Sequence, residues 1–358
     1  MPLLPLYGHD ALRRRLRETV ARGTLPASLL LHGPRGAGKQ RLALWLGQLL
    51  LCDGTAERPC GTCTQCKYVE QLVHPDLRWF FPRLKADGSD DPSPQEVLDE
   101  YAEAAAERAA NGGLYPPPSG LEAIFVASVR GLVQHAAYTP TVAKRKVIIV
   151  GDAERMVAQA GAEAAANAFL KLLEEPPADT TVIITTSEPG ALLPTIRSRV
   201  VAMRVPPLPE RDVRAWLANA QVRAALDAAG APKGDEARAE LAAGSPGSLL
   251  ASSSRAEAAA AARQLLAAAT GDRATQARTI LSLGGSKARG FFSDMLDAMT
   301  SLLHQRAREA VLHNDPHAAV AASRAIDAVQ EAREGAGNNI NPHLLGAALV
   351  RRLERTLG

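Results

Sequence analysis

The sequence is short of aromatics, of net charge and of cysteine. Phe, Trp and Tyr make up 4% of its 358 residues, too few to line a surface with stacking platforms for bases. Lys and Arg number 41 against 38 Asp and Glu, a formal net charge of +3. That balance excludes a polybasic tail or a uniformly basic DNA wrapper, while leaving room for a local basic patch. No apolar run approaches the roughly 18 residues of a membrane-spanning helix, and the longest, Leu42 to Cys52, is interrupted by Gln48. The start, Met1-Pro2-Leu3-Leu4-Pro5, lacks the basic region and long apolar core of a secretion signal. A soluble cytoplasmic protein is the expectation. The hydrophobic share of 46% is enough to bury sizeable cores, and the length suggests two or three domains at about 150 residues each.

The few cysteines are concentrated. Cys52, Cys60, Cys63 and Cys66 are the only four. Thiols crowded between positions 52 and 66 of a cytosolic chain do not read as a disulfide framework. Cys60-Gly-Thr-Cys63-Thr-Gln-Cys66 overlaps two C-x-x-C pairs, with Gly54 and Pro59 upstream to turn the chain back from Cys52. The pattern predicts a structural zinc ion held by all four thiolates, since short turns let them converge on tetrahedral corners. A redox C-x-x-C explains only two of them. With four thiols available, His74 reads as a turn or packing residue and not as a ligand.

From Tyr7 to about Pro206, helix and strand signals alternate. Leu29-Leu30-Leu31-His32, Asp76 to Phe81, Val147 to Val150, Thr181 to Thr186 and Val200 to Val205 read as strands. An amphipathic helix carries Leu42, Trp45, Leu46, Leu49 and Leu50, and an Ala/Leu-rich helix from Ala162 to Glu175 is stopped by Pro176-Pro177. Such alternation predicts an α/β domain with a parallel sheet between helices. Residues 82–120 break the pattern and read as a surface insertion with one solvated helix. After Pro206-Pro207-Leu208-Pro209 the strand signals vanish. The expected domains are 1–206 (with a zinc module at 52–66), a helical lid at 207–254 and an all-α domain at 255–358. Asn341-Pro342 starts the last helix, whose stripe of Leu345, Leu349, Leu353 and Leu357 suits a helical core or an oligomer contact.

Gly33-Pro34-Arg35-Gly36-Ala37-Gly38-Lys39-Gln40 fits the phosphate-binding pattern G-x-x-x-x-G-K between a strand and a helix. Gly33, Gly36 and Gly38 let backbone N–H groups converge on phosphate oxygens, and Lys39 adds a point charge. The next position calls for the Ser or Thr that holds Mg²⁺, and it is Gln40. A longer neutral amide is a poor ligand for an ion that demands short octahedral bonds. The strand Val147 to Val150 leads to Asp152, but Ala153 follows where a Glu would activate water, and Glu154 comes one residue too late. The residues favour a retained scaffold with lost chemistry. Whether the loop still holds ADP or ATP passively is open at this point.

In order along the chain stand Tyr7-Gly8-His9, the phosphate loop, the cysteine module, His74-Pro75-Asp76, Asp152-Ala-Glu-Arg-Met156, Ala166-Asn-Ala-Phe-Leu-Lys-Leu-Leu-Glu-Glu-Pro-Pro177 and Ile196-Arg-Ser-Arg199. This set resembles the AAA+ clamp-loader family, and within it the delta-prime-like branch. The likeness covers most of residues 7–206; beyond Arg255 it is general helicity. It implies a P-loop domain with an inserted zinc module, a helical lid and a helical collar that oligomerises. It also implies gamma/tau and delta subunits as partners, with a sliding clamp and primed DNA reached through the complex. The family's ATPase subunits sense nucleotide with an Arg in a Gly-Ser-x-Arg motif of the lid. Here Gly244-Ser245-Pro246-Gly247 puts Gly247 at that Arg.

The resemblance also gives Ser198-Arg199 a role. It implies that Arg199 reaches a neighbour's ATP as an arginine finger, spreading a fixed guanidinium over developing phosphoryl charge. Arg197 is two positions off the motif, and a surface ion pair is the plain alternative. The expected function is thus an accessory subunit of the DNA polymerase III holoenzyme without ATPase activity of its own. The rival is an active P-loop ATPase of the gamma/tau type. A zinc-ribbon nucleic-acid binder is a third reading, which balanced charge and few aromatics weigh against.

Overall fold

In the computed structural model the described residues are 2–55, 57–84, 92–118, 122–156, 163–282, 288–337 and 341–357. The chain forms two compact units, one from Met1–Pro117 with Glu122–Leu250, the other chiefly from Ala251–Gly358. No helix of the described residues is long and apolar enough to cross a membrane.

The first unit begins with α1 (Asp10–Ala21), β1 (Ser28–His32), α2 (Lys39–Leu51) and α3 (Thr64–Glu70). It continues through β2 (Leu77–Phe80), α4 (Pro94–Ala110), α5 (Val126–Ala137), β3 (Lys146–Val150), α6 (Glu163–Glu174), β4 (Thr180–Thr186), α7 (Pro194–Arg197) and β5 (Val201–Arg204). The five strands are parallel, in the order β2-β3-β4-β1-β5. Leu29 to Leu31, Val147 to Val150 and Val182 to Ile184 are buried. They read as unbroken apolar runs because helices cover both faces of the sheet. Since β1 lies beside β4 and β4 beside β3, the residues that follow these three strands meet at the carboxyl edge of the sheet. That edge is where ligands bind in open α/β sheets.

The opposite edge is held by buried ions that the sequence did not reveal. The Asp76 carboxylate accepts the backbone N–H groups of Thr141 (2.5 Å), Val142 (2.8 Å) and Ala143 (2.7 Å). Burial pushes the Asp76 carboxyl up, but these three donors hold it below its ordinary value. The Lys146 ammonium donates to the carbonyls of Ala136 (2.6 Å), His135 (3.3 Å) and Tyr138. His74 is buried, and its Nδ1 accepts the Asp76 N–H at 3.0 Å. It serves a turn, one of the two roles, turn or packing, expected of it once four thiols were available as ligands.

The insertion departs from expectation. The Gly88 to Asp91 stretch lies outside the described residues. The helix is present as α4, opened by a capping box between Ser93 and Glu96. It is not solvated all round: Val97, Tyr101, Ala105 and Ala109 are buried, four residues apart on one face, and the Tyr101 hydroxyl donates to the Phe81 carbonyl at 2.9 Å. Alanines supply half of that stripe, so its hydropathy contrast is faint in the sequence. Beyond α4 the chain ties other parts together. The Gly112 carbonyl accepts the Leu4 N–H at 2.9 Å. Leu114, with Leu4 and Tyr7, packs on a core of Leu208, Val213, Trp216 and Leu217.

That core belongs to three further helices, α8 (Glu210–Leu217), α9 (Ala220–Ala228) and α10 (Asp235–Ala242). The second unit holds α11 (Ser252–Ala269), α12 (Arg273–Ser282), α13 (Ala288–Leu312), α14 (Pro316–Gly337) and α15 (Pro342–Leu357). Asn341 caps α15 by accepting the His343 N–H at 2.9 Å. Leu345, Leu349 and Leu353 are buried with Leu265, Leu296 and Val329, so the leucine stripe fills this unit's own core.

Candidate functional site: a self-filled phosphate loop, a thiol cluster and an exposed arginine

The phosphate loop joins β1 to α2, with Gly38 in the left-handed region as the N-cap of α2. Lys39 is buried, and its ammonium is spent on the loop itself. It donates to the carbonyls of Gly33 (3.0 Å) and Pro34 (2.8 Å) and to Ser187 Oγ (2.9 Å), just past β4. Burial lowers its pKa, against the pull of Asp152 and Glu154. His9 Nε2 lies 2.8 Å from the Ala37 carbonyl and braces the loop from α1.

Gln40 is where a magnesium-binding hydroxyl would stand. It is buried, its Nε2 donates to Asp152 Oδ2 at 2.8 Å, and its Oε1 accepts the Trp79 indole N–H at 3.0 Å. The amide therefore fills the gap between α2 and the acidic residue after β3. The fit is close: a Cβ on Gly151 would lie 2.3 Å from Gln40 Oε1. Trp79 in turn packs on Phe81 and Tyr115, and the Arg108 guanidinium of α4 stands over all three rings. The insertion thus backs the side chain that holds Gln40.

Asp152 has φ 49°, and its N–H donates to Thr185 Oγ1 at 3.1 Å. Burial, with the Glu154 charge adding, pushes its carboxyl up to about 6, against the pull of Lys39. Ala153 is buried, and Glu154 Oε1 accepts the Ser187 N–H at 3.0 Å. Glu154 is therefore turned to the end of β4 and employed there. A carboxyl whose folded pKa is raised contributes stability below its ordinary value of 3.8 and loses it as pH rises through about 6. Asp152→Asn is thus expected to melt higher than the parent at pH 8. By surface area Asp152 is half-buried, which limits the gain to about 1–2 kcal/mol. Thermal melts should show the difference vanishing below about pH 4.

The Gly244-Ser245-Pro246-Gly247 turn lies against the loop. Gly247 N–H donates to the Gly36 carbonyl at 3.0 Å. A Cβ on Gly36, at φ 82°, would meet Ser248 N at 2.5 Å and Ser245 O at 2.9 Å. One on Gly247 would meet Gly36 O at 3.1 Å. Gly36 has no room for a side chain at this contact, and one on Gly247 would force a shift of a few tenths of an ångström.

The four cysteines converge. Cys52 ends α2, Cys63 caps α3 and Cys66 lies within it. Their sulfurs all lie within 4.8 Å of one another, with Cys52–Cys60 at 3.6 Å and both Cys60–Cys66 and Cys52–Cys63 at 4.0 Å. A tetrahedral ion with M–S bonds of about 2.3 Å needs S···S edges near 3.8 Å. Backbone N–H groups of Cys60, Cys63 and Cys66 donate to the preceding sulfurs at 3.4 Å, as suits thiolates. The donor set fits a metal ion, and His74 is not among the group.

Arg199, just past α7, is partly exposed and apart from the loop's own network. Its Nε lies 3.2 Å from Glu174 Oε2, and its Nη1 donates to the Thr195 carbonyl (3.0 Å) and Ser198 Oγ (3.4 Å). Arg197 is exposed. Sequence reasoning missed Trp79, Ser187 and Glu174. Only Glu174 left a local signal: an acid in the last turn of a helix faces the negative end of the macrodipole, at a cost of about 0.3–1 kcal/mol.

The family described as DNA polymerase III, delta subunit, matches residues 8–209. DNA polymerase III subunit delta' of Pseudomonas aeruginosa is 33% identical over 192 residues, 53% of this chain and 46% of that protein. The same subunit of Escherichia coli is 30% identical over 225 residues, 63% and 53% of the two chains. DNA polymerase III subunit gamma/tau of Mycobacterium tuberculosis is 32% identical over 215 residues, 60% of this chain and 30% of its own length. The chain spans about half the length of the delta' relatives it matches. With a parallel P-loop sheet, a thiol cluster and a family match over more than half its length, the chain belongs to the AAA+ clamp-loader family of DNA polymerase III subunits.

Proposed function

We propose that this chain is a non-hydrolysing, delta-prime-like clamp-loader subunit. Identity does not separate the delta' from the gamma/tau relatives, at 33% and 32%; the chemistry of the loop supports the delta-prime-like reading. The observation that carries the reading is the Gln40 amide locked between Asp152 and Trp79. Hydrolysis needs a cation bridging the terminal phosphates and a group that orients water. Gln40 fills the cation's place, Ala153 offers no acid, and Glu154 is committed to Ser187. Lys39 is satisfied by two of the loop's own carbonyls and by Ser187 Oγ, so nucleotide would have to displace three hydrogen bonds to reach it.

The chain acts as a fixed arm of an assembly with gamma/tau-type ATPases and a delta subunit. Residues 1–206 and the lid at 207–254 form the arm, and the collar at 255–358 joins the ring. Arg199 is the group offered to the neighbour's ATP, and the assembly loads a sliding clamp on primed DNA. Cys52, Cys60, Cys63 and Cys66 hold a zinc ion, whose chemistry is structural: four thiolates close its coordination shell and leave no position for substrate.

The test is ATP turnover with Mg²⁺ by the isolated chain, beside the same chain mixed with gamma/tau. The isolated chain is expected to be inactive, with no change on Lys39→Ala. Turnover that Lys39→Ala abolishes would instead establish a gamma/tau-type ATPase.

A further inference from the structure

We propose that Glu174 is a positioning residue for Arg199, holding its guanidinium ready for the neighbouring subunit. The inference rests on the reading of Arg199 as the group offered to that neighbour's ATP. Helix α6 ends at Glu174, and Pro176-Pro177 forbid its continuation. Two acids, Glu174 and Glu175, thus sit at the helix end that disfavours negative charge. Glu174 is matched by a cation from another element: its Oε2 lies 3.2 Å from Arg199 Nε, across the whole of β4 in sequence. Among the described residues, Glu175 carries no ion pair.

The contacts divide the guanidinium in two. Nε is held by Glu174, and Nη1 by the Thr195 carbonyl and Ser198 Oγ. Among the described residues Nη2 has no hydrogen bond, and the side chain is 29% exposed. Three acceptors therefore fix the plane of the group while one nitrogen stays available. A pair this exposed contributes little to folding. Its value lies in ordering a side chain that is otherwise free to take many rotamers, so that less is lost when the arginine engages phosphate. Full loss of that ordering corresponds to roughly thirty-fold in rate. Since Thr195 and Ser198 remain, the expected loss on removing Glu174 is about tenfold.

The experiment uses the full chain assembled with its ATPase partner and compares Glu174→Gln, Glu175→Gln, Arg199→Ala and the Glu174→Gln/Arg199→Ala double variant. Assembly is checked by size-exclusion chromatography, and kcat is separated from the KM for ATP. Glu174→Gln is expected to lower kcat about tenfold at unchanged KM. Glu175→Gln, which removes the same charge from the same helix end, should leave kcat unchanged. The double variant should match Arg199→Ala alone, because Glu174 acts only through that arginine. Two results overturn the inference and spare the reading of Arg199: parent-like kcat in Glu174→Gln while Arg199→Ala falls, or additive losses in the double variant. Parent-like kcat in Arg199→Ala would overturn both.

Discussion

Arg199→Ala is expected to lower ATP turnover at the neighbouring subunit's site by about 10³-fold, the lower end of what an arginine finger supplies. The loss should fall on kcat, because the guanidinium meets charge that develops only in the transition state. Assembly should survive. Arg199 is partly exposed, its one ion pair among the described residues is exposed, and it is not among the residues of the buried cores. Arg199→Lys should rescue little, since a point charge lacks the planar fork. The measurement is single-turnover hydrolysis in the reconstituted assembly, with the isolated partner as baseline. Turnover equal to the parent's would leave Arg199 as a surface ion pair and nothing more.

Removing the metal should have the second large effect. Structural zinc binding contributes on the order of 10 kcal/mol at neutral pH, most of which is folding free energy of the ligand segment. A chelator, or Cys63→Ser, is expected to unfold residues 52–66 and to open the thiols to alkylation, all four in the chelated parent and the remaining three in the variant. Acid should act likewise, because protons compete for thiolates. The sheet should persist, since its core is built from β1, β3, β4 and α2 and not from the module. Metal analysis of the purified chain should return one zinc per molecule, falling to none in Cys63→Ser. Thiols that alkylate readily in the parent would refute the site.

What the sequence disclosed was whatever is written locally. The β3 run Val147 to Val150, the glycines before Lys39 and the cysteine spacing each carry their meaning within a few residues. The helix of the insertion was readable too, but its buried face was not, because Ala105 and Ala109 look alike on either side of a helix. The partners of the site were out of reach. Trp79 with Gln40, Ser187 with Lys39 and Glu174 with Arg199 are each brought together by the fold from distant parts of the chain. Gln40 was legible as a departure. That it is wedged in place, between an acid and an indole, required the sheet order that sets β2 and β3 side by side.

The contact between Gly36 and Gly247 couples the phosphate loop to the turn at 244–247. An arginine at position 247 would bring a Cβ to 3.1 Å from the Gly36 carbonyl, so the turn would have to shift by a few tenths of an ångström. Restoring a hydroxyl at position 40 would leave Trp79 and Asp152 without their shared partner. Each substitution taken alone is thus opposed by the packing around it. If the chain is the non-hydrolysing subunit proposed above, gaining turnover would demand several coordinated substitutions at once.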